Sequence, residues 1–243
     1  MTDDKPPIPP VEPARRRMVR TPTRGDPAGR NEGHKRLKTA SDRTQSSQAW
    51  LERQLNDPFV VRAKAEGWRS RAAFKLTEMD DRHHLIRKGS RVIDLGCAPG
   101  GWVQVALKRG AGTVIGIDLL PVTTIAGAEL IEGDFTEPGM GDQLVKIAGG
   151  PPDLVLSDMA PNTMGHRQTD HLRIAMLIEQ AAAFAATALR PGGAFVTKAF
   201  QGGELEQVIK RLKTDFDTVK QVKPKASRAD SSEVYLVCLG RKG

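Results

Sequence analysis

The sequence lacks the features that membrane-spanning, disulfide-stabilised and zinc-binding proteins need. No apolar run approaches the ~18 residues of a membrane span, and the N-terminal segment has no apolar stretch typical of a signal peptide. Cys97 and Cys238 lie in apolar, strand-like contexts without CxxC spacing, and the five histidines form no ligand pattern with them. The sequence therefore predicts a cytoplasmic protein with reduced thiols, no membrane segment and no bound metal.

Acidic residues are too few to balance the basic ones. Lysine and arginine number 37 against 29 acidic residues, which gives a net charge of +8. Residues 1–50 carry eleven of the basic and only six of the acidic residues. Such an excess favours binding to a polyanion, because each cation that neutralises a phosphate releases counterions. A basic excess that only keeps the chain soluble is the alternative.

The first 45 residues have almost no large apolar side chains. They contain two proline pairs and the run Arg15-Arg16-Arg17. A segment of this composition cannot bury enough surface to offset the entropy lost on ordering its backbone. The sequence therefore predicts a disordered, basic N-terminal tail over residues 1–45 and a folded domain over residues 46–243. Whether the tail grasps RNA or is merely solvated stays open.

The folded region alternates short apolar runs with helical patterns. After helices predicted at 47–56 and 71–85, strands are predicted at 92–95, 113–117, 154–157 and 194–197, with helices at 100–109, 138–147 and 171–189. Strands that alternate with helices in this way favour a parallel sheet covered on both faces, the α/β class. The last two strands, 216–222 and 234–239, are separated by a loop without a helical pattern. This spacing favours an antiparallel hairpin at the end of the sheet.

A glycine-rich turn follows the first predicted strand of the sheet. Its order, Gly-Cys-Ala-Pro-Gly-Gly from Gly96, lets the backbone approach a ligand closely at a helix N-terminus. Asp118 ends the next strand, where a carboxylate can bind ribose hydroxyls, and Asp134 follows the third strand near the expected adenine amino group. The spacing departs from the dinucleotide fingerprint, and Pro99 lacks the N–H that a phosphate would need. The turn thus predicts a nucleoside cofactor without phosphates, such as S-adenosylmethionine, and disfavours a nicotinamide dehydrogenase.

Charged side chains end later strands of the predicted sheet. Asp158 follows one buried strand and Lys198 ends the next. Ligands of open α/β sheets bind outside the carboxyl ends of the strands, so both side chains should share a crevice with the cofactor. If the last strand is antiparallel, Glu233 begins it at this same edge.

Several motifs occur in an order that resembles one enzyme family. They are Ser-Arg-Ala-Ala-Phe-Lys-Leu, Ala-Pro-Gly-Gly-Trp, Ser-Asp-Met-Ala-Pro-Asn, Val-Thr-Lys-Ala-Phe-Gln-Gly and Ser-Arg-Ala-Asp-Ser-Ser-Glu-Val-Tyr. Over roughly residues 50–242, the sequence resembles the FtsJ-type methyltransferases and, more narrowly, the bacterial ribosomal RNA large subunit methyltransferase E family.

The resemblance implies a fold, a reaction and a set of site residues. The fold is a Rossmann-like S-adenosylmethionine-dependent methyltransferase domain with a mostly parallel, seven-stranded sheet. The reaction is 2′-O-methylation of a uridine ribose in 23S rRNA within the large ribosomal subunit. A catalytic tetrad is implied at Lys75, Asp158, Lys198 and Glu233. Cofactor contacts are implied at Gly100, Trp102, Asp118, Asp134 and Asp158.

The residues leave other functions open. The same tetrad would serve methylation of tRNA or of a messenger cap, and a non-catalytic RNA-binding assembly factor could retain this fold. Lys198 could accept the proton of the ribose hydroxyl or remain charged and stabilise the developing alkoxide. We expect RNA contacts at the basic residues Arg62, Lys64, Arg69, Arg71, Lys220, Lys223, Lys225 and Arg228, with charge reversal at Arg69 and Arg71 weakening RNA binding.

Overall fold

The computed structural model describes residues 45–160, 167–202 and 205–243. The predicted tail lies outside these ranges up to residue 44, so its disorder stays a prediction. The described chain contains helices α1 (Gln45–Asn56), α2 (Pro58–Ala65), α3 (Ala72–His83), α4 (Gly101–Lys108), α5 (Met140–Ile147), α6 (Arg167–Ala188) and α7 (Leu205–Asp215). Its strands are β1 (Arg91–Leu95), β2 (Thr113–Asp118), β3 (Ala128–Glu132), β4 (Leu154–Ser157), β5 (Ala194–Phe200), β6 (Phe216–Val222) and β7 (Glu233–Arg241).

The strands form one seven-stranded sheet in the order β3-β2-β1-β4-β5-β7-β6. The first five positions are parallel, whereas β7 is antiparallel to both β5 and β6. The predicted α/β class, the mostly parallel sheet and the C-terminal antiparallel hairpin are confirmed.

Alternate residues of the central strands pack against two helical layers. Val92 belongs to an apolar cluster with Leu76 of α3 and Val103 of α4. Its neighbour Ile93 belongs to a second cluster that includes Leu144 of α5. Successive side chains of a strand point to opposite faces, and both faces are covered here, so the central strands read as continuous apolar runs.

Two helices were not predicted from the sequence. Helix α2 begins at Pro58, and Asp57 caps it by accepting a 2.9 Å hydrogen bond from the Phe59 N–H. An Asp-Pro pair at a helix start is a recognisable signal. Helix α7 buries Val208 and Leu212, four residues apart on one face. Helix α2 is too short to show a clear periodic pattern. The many charged residues of α7 obscure the spacing of its apolar positions.

The strand order brings two loops together at the carboxyl edge of the sheet. The chain proceeds outward from β1 to β3 and then returns to the other side of β1 as β4. Loops after β1 and β4 therefore diverge and leave a crevice between them. At the same edge, Phe200 at the end of β5 pairs with Glu233 at the start of β7. The fold thus brings the ends of β1, β4 and β5 and the start of β7 together around one crevice.

The turn after β1 supplies a test of how tightly this edge is packed. Gly96 has φ +75°, and a Cβ atom there would lie 2.3 Å from Met159 Cγ and 3.2 Å from the Met159 Cα. Gly139 has a similar φ of +82° but open space around it. We expect Gly139→Ala to cost about 1–2 kcal/mol through backbone strain alone, and Gly96→Ala to cost roughly 1–3 kcal/mol more through overpacking. Urea unfolding measures both, and equal losses in the two variants would contradict the close packing at Gly96.

Candidate active site

The crevice at the carboxyl edge is a cavity of about 530 Å³, within the usual size range of small-molecule sites. Residues after β1, β2, β3 and β4 line it, together with two residues of α6. The lining residues are Gly96, Ala98, Ile117, Asp118, Leu119, Leu120, Gly133, Asp134, Phe135, Thr136, Asp158, Met159, Ala160, Leu177 and Gln180. Three carboxylates thus converge among apolar side chains, and no lysine or arginine of the described residues lines the cavity.

Backbone hydrogen bonds hold two of these carboxylates in place. Asp118 accepts a 2.8 Å bond from the Ala98 N–H and a 2.9 Å bond from the Leu120 N–H, one on each oxygen. Asp134 accepts bonds from the N–H and the hydroxyl of Thr136, both on Oδ1. Its Oδ2 accepts no hydrogen bond from any described residue. The cavity therefore presents fixed acceptors to a ligand that carries hydroxyl, amino or cationic groups, and it disfavours phosphates.

Four charged side chains meet beside this cavity. Lys75 Nζ lies 2.7 Å from Glu233 Oε1, and Lys198 Nζ lies 2.8 Å from Asp158 Oδ1. Lys198 Nζ also donates to the Asp158 carbonyl at 2.9 Å and lies 4.0 Å from Glu233 Oε2. The four side chains are between 5% and 19% exposed. The structure therefore brings the predicted Lys75, Asp158, Lys198 and Glu233 into one partly buried cluster.

The only tyrosine of the chain connects the two ion pairs, and sequence reasoning missed it. The Tyr235 hydroxyl accepts a 2.9 Å hydrogen bond from Lys75 Nζ and donates one of 2.6 Å to Asp158 Oδ1. Tyr235 lies opposite Lys198 in the β5–β7 pairing and two residues after Glu233. Residues two apart in a strand point to the same face, and that spacing is the signal that could have identified it.

Burial and ion pairing act against each other on these groups. Burial favours a higher pKa for Asp158, but the charges of Lys198 and Lys75 outweigh it and leave the pKa lowered. The pKa of Glu233 is lowered in the same way, chiefly by Lys75. Burial lowers the pKa of Lys75 despite the attraction of Asp158 and Glu233. Burial, followed by those two carboxylates, raises the pKa of Tyr235 well above its usual value. Both carboxylates are thus ionised at neutral pH, and the phenol keeps its proton.

Asp94 is a further carboxylate behind the cavity. It is 1% exposed, and neither of its carboxylate oxygens has a hydrogen-bond partner among the described residues. Burial, together with the negative charges of Asp158 and Asp118, raises its pKa well above the usual value. In this environment the neutral carboxylic acid is favoured over the carboxylate.

Two of the predicted cofactor residues do not line the cavity. Trp102 is 3% exposed, and its indole N–H donates a 2.8 Å hydrogen bond to the Ala72 carbonyl. Its ring lies 5.7 Å from that of Tyr235, so it packs behind the charged cluster. Gly100 is buried, and a Cβ atom there would lie 2.6 Å from Ile125 Cδ1. Contacts of Gly100 and Trp102 with a cofactor therefore stay predictions, whereas Asp118, Asp134 and Asp158 do line the cavity.

The structure gives Arg69 and Arg71 partners inside the protein. The Arg69 guanidinium donates to the carbonyls of Pro99, Thr123 and Thr124. Arg71 Nη1 lies 2.6 Å from Asp57 Oδ2 in a mostly buried ion pair. Because both guanidinium groups are bound within the protein, this geometry argues against the interpretation of the two arginines as RNA contacts. Charge reversal at either residue would break these internal bonds.

The other basic residues expected to contact RNA are more accessible. Arg62, Lys64, Lys220, Lys223 and Lys225 are exposed. Arg228 is intermediate, and its Nε lies 3.7 Å from Asp57 Oδ2. The exposed residues remain candidates for RNA contact.

Within the described residues, no helix has the length and apolar character needed to cross a bilayer. The same part of the chain contains no group of three or more metal-ligating side chains.

The family model for FtsJ-like methyltransferases matches residues 68–241, which include all four charged residues of the cluster. The chain belongs to the FtsJ-like methyltransferase family. This FtsJ-like methyltransferase is 61% identical over 226 residues to the ribosomal RNA large subunit methyltransferase E of Caulobacter vibrioides, covering 93% of this chain and all of that protein. The protein of the same name from Gluconobacter oxydans is 59% identical over 84% of this chain and 76% of its own length.

The Caulobacter match bears on the first 45 residues. Because it covers 93% of the chain, it must extend into this segment, although the family model begins only at residue 68. Part of the N-terminal segment of this FtsJ-like methyltransferase thus has a counterpart in at least one relative, although the family model does not include it.

A solved structure is similar over most of the domain. The crystal structure of a protein described as a ribosomal RNA methyltransferase, from Plasmodium falciparum, is 30% identical with a TM-score of 0.65. It covers 72% of this chain and all of that chain. The mostly parallel sheet and its C-terminal antiparallel strands thus agree with the fold of a named relative.

The Lys75–Glu233 pair yields a prediction about stability. Removing one partner leaves a buried charge without its counter-ion, so Lys75→Met and Glu233→Gln should each destabilise by about 3 kcal/mol. The double variant should recover part of this loss, because neither charge is then left alone. Urea unfolding of the four proteins at about pH 7 measures the coupling.

The same coupling should depend on pH. The pKa of Glu233 is lowered in the folded protein. Its contribution to the free energy of unfolding is therefore present above the pKa of about 4.3 that a glutamate has in the unfolded chain. It is lost as the pH falls through the lower, folded pKa. Additive effects of the two single substitutions at neutral pH would show that the pair is not coupled.

Proposed function

We propose that this FtsJ-like methyltransferase transfers a methyl group from S-adenosylmethionine to the 2′-hydroxyl of a uridine in 23S rRNA, within the large ribosomal subunit. The observation that carries the proposal is the junction of the acidic cavity with the cluster of Lys75, Asp158, Lys198 and Glu233. Asp158 belongs to both, since it lines the cavity and pairs with Lys198. A methyl donor in the cavity would therefore lie next to the lysines.

The cavity fits S-adenosylmethionine by the chemistry of its donors. Asp118 would accept hydrogen bonds from the ribose hydroxyls, and the unpaired Oδ2 of Asp134 would accept from the adenine amino group. Asp158 would face the positively charged end of the molecule. When bound, S-adenosylmethionine supplies a methyl group on a sulfonium, which a nucleophile must approach in line. A phosphate-bearing cofactor would meet three carboxylates and no lysine or arginine among the described lining residues.

The charged cluster would prepare the hydroxyl for this attack. A ribose hydroxyl is a poor nucleophile until its proton is removed or its developing charge is stabilised. Lys198 Nζ is held by the carboxylate and the carbonyl of Asp158, so its position is defined before substrate binds. It would act either as the proton acceptor or as a charged stabiliser of the alkoxide. Lys75 and Tyr235 would fix the orientation of Asp158 and Glu233 in both cases.

Three observations favour a large-subunit rRNA substrate. Relatives that are 52–61% identical carry the name ribosomal RNA large subunit methyltransferase E. The net charge of +8 suits a polyanion. Exposed lysines and Arg62 remain available near α2 and in the segment 220–225. A ribosomal substrate also implies a cytoplasmic location, which is part of the proposal.

Transfer of labelled methyl from S-adenosylmethionine tests the substrate. We expect purified large subunits that lack the modification to accept label, and nuclease digestion to recover it on a 2′-O-methyluridine. Protein-free 23S rRNA and tRNA should accept much less. Preferred labelling of tRNA would support the alternative RNA substrate, and no labelling of any RNA would support a non-catalytic assembly factor.

Replacement of Lys198 tests its role. Lys198→Met removes the amine at similar side-chain volume, and we expect kcat to fall by roughly 10²–10⁴, the usual contribution of acid–base catalysis. The pH–rate profile then separates the two roles. A wild-type ionisation near neutrality that vanishes in Lys198→Met supports the proton acceptor, whereas a flat wild-type profile supports the charged stabiliser. Full activity in Lys198→Met would exclude both.

A further inference from the structure

We propose that Arg69 is a positioning residue for the methyl-donor pocket, which it holds together by binding the backbones of two pocket loops. The inference rests on the proposed cofactor. Arg69 Nη1 donates to the Pro99 carbonyl at 3.1 Å and to the Thr123 carbonyl at 2.6 Å, and Nη2 donates to the Thr124 carbonyl at 2.8 Å. One side chain therefore joins the turn after β1 to the segment after β2.

Each segment is directly continuous with residues that line the pocket. The turn that contains Pro99 supplies the lining residues Gly96 and Ala98. The segment that contains Thr123 and Thr124 follows the lining residues Asp118 to Leu120. A change in the separation of the two segments would alter the width of the pocket directly.

Few other bonds restrain the second segment. In the described part of the chain, Arg69 supplies the only hydrogen bonds that residues 121–124 make. Closer to the sheet, Ala98 and Leu120 are joined through the Asp118 carboxylate. Beyond that point Ile125 packs over Gly100, where a Cβ atom would lie 2.6 Å from it. Without Arg69, the described residues would hold the outer part of the segment only by apolar contacts, those of Ile125 with Gly100 and of Val122 and Ile125 with the core.

Arg69 itself is anchored to the domain at its main chain. Its N–H donates a 2.8 Å hydrogen bond to Gln104 Oε1 of α4, and Gln104 Nε2 donates to the Gly67 carbonyl at 3.2 Å. The guanidinium is thus presented from a fixed point. The planar guanidinium has several donors in fixed directions and can bind two segments of the backbone at once. The compact ammonium of a lysine does this less well. An arginine suits this position for a geometric reason as well as for its charge.

This role differs from the RNA contact that the sequence suggested for Arg69. Three backbone carbonyls already bind three of its five N–H donors, so loss of the side chain should weaken binding of the methyl donor first. Arg69 does not line the cavity, so its loss would change binding of the methyl donor by moving the loops that form the pocket.

Binding of S-adenosylhomocysteine, measured by calorimetry without RNA, tests the proposal. Arg69→Met keeps an unbranched apolar stem in place of the aliphatic part of the side chain and removes every donor, and we expect its Kd to rise by about tenfold or more, equivalent to about 1.4 kcal/mol. Arg69→Lys should show a smaller rise, since it can still reach one or two carbonyls. Arg82→Met is the matched control: its guanidinium is exposed and pairs with Glu78, outside the pocket, so its Kd should equal that of the wild type.

Two further readouts separate positioning from a general loss of structure. Amide exchange at Ala98 and Leu120, which both bond to Asp118, should accelerate in Arg69→Lys, while exchange in β1 and β4 stays unchanged. With labelled methyl donor, the KM for S-adenosylmethionine should rise in Arg69→Lys more than kcat falls. Arg69→Lys also keeps the proposal testable if Arg69→Met fails to fold.

The outcomes distinguish this inference from the proposed function. If the wild type does not bind S-adenosylhomocysteine, the proposed cofactor is wrong and the inference falls with it. If the wild type binds and Arg69→Met binds equally well, the inference alone is overturned. Unchanged exchange at Ala98 and Leu120 in Arg69→Lys would overturn it as well.

Discussion

The register between β5 and β7 is the constraint on which the charged cluster depends. Phe200 pairs with Glu233 and Lys198 with Tyr235, so residues of two antiparallel strands meet at the carboxyl edge of an otherwise parallel sheet. A slip of one residue would turn Glu233 and Tyr235 to the other face of the sheet, since side chains alternate along a strand. The apolar residues of β7 hold the register, because Val234 and Leu236 pack in one layer and Tyr235 and Val237 in the other. Core packing thus decides where the charges lie.

The cluster illustrates how buried charges are tolerated. Two lysines, two carboxylates and one phenol satisfy one another within hydrogen-bonding distance, whereas a single buried charge would be costly. Such a network is weak evidence for stability, because the desolvation of each ion offsets much of the attraction. Its value lies in fixed positions: Asp158 lines the cavity, and Lys198 is held beside it by the carboxylate and the carbonyl of Asp158. Pre-organised groups of this kind need no rearrangement when charge develops on a substrate.

The acidic cavity and the basic surface suit ligands of opposite charge. Carboxylates line the pocket, and lysines with Arg62 lie on the exposed surface. An RNA phosphate would be repelled from the pocket and attracted to the surface, whereas a cationic methyl donor would show the opposite preference. Arg69 lies between these regions but is bound by backbone carbonyls. Its guanidinium therefore binds the loops of the pocket within the protein.

The sequence alone determined the features that depend on local periodicity. Continuous apolar runs identified β1, β4 and β5, and a carboxylate or lysine at a strand end placed Asp118, Asp158 and Lys198 at the carboxyl edge of the sheet. These inferences succeed because the burial of a strand and the position of its end are local properties. Contacts made by long or aromatic side chains depend instead on which distant segments the fold brings within about 3 Å. Only the tertiary structure could therefore show that Tyr235 links the ion pairs, that Trp102 packs behind them, and that Arg69 binds two loops of its own chain.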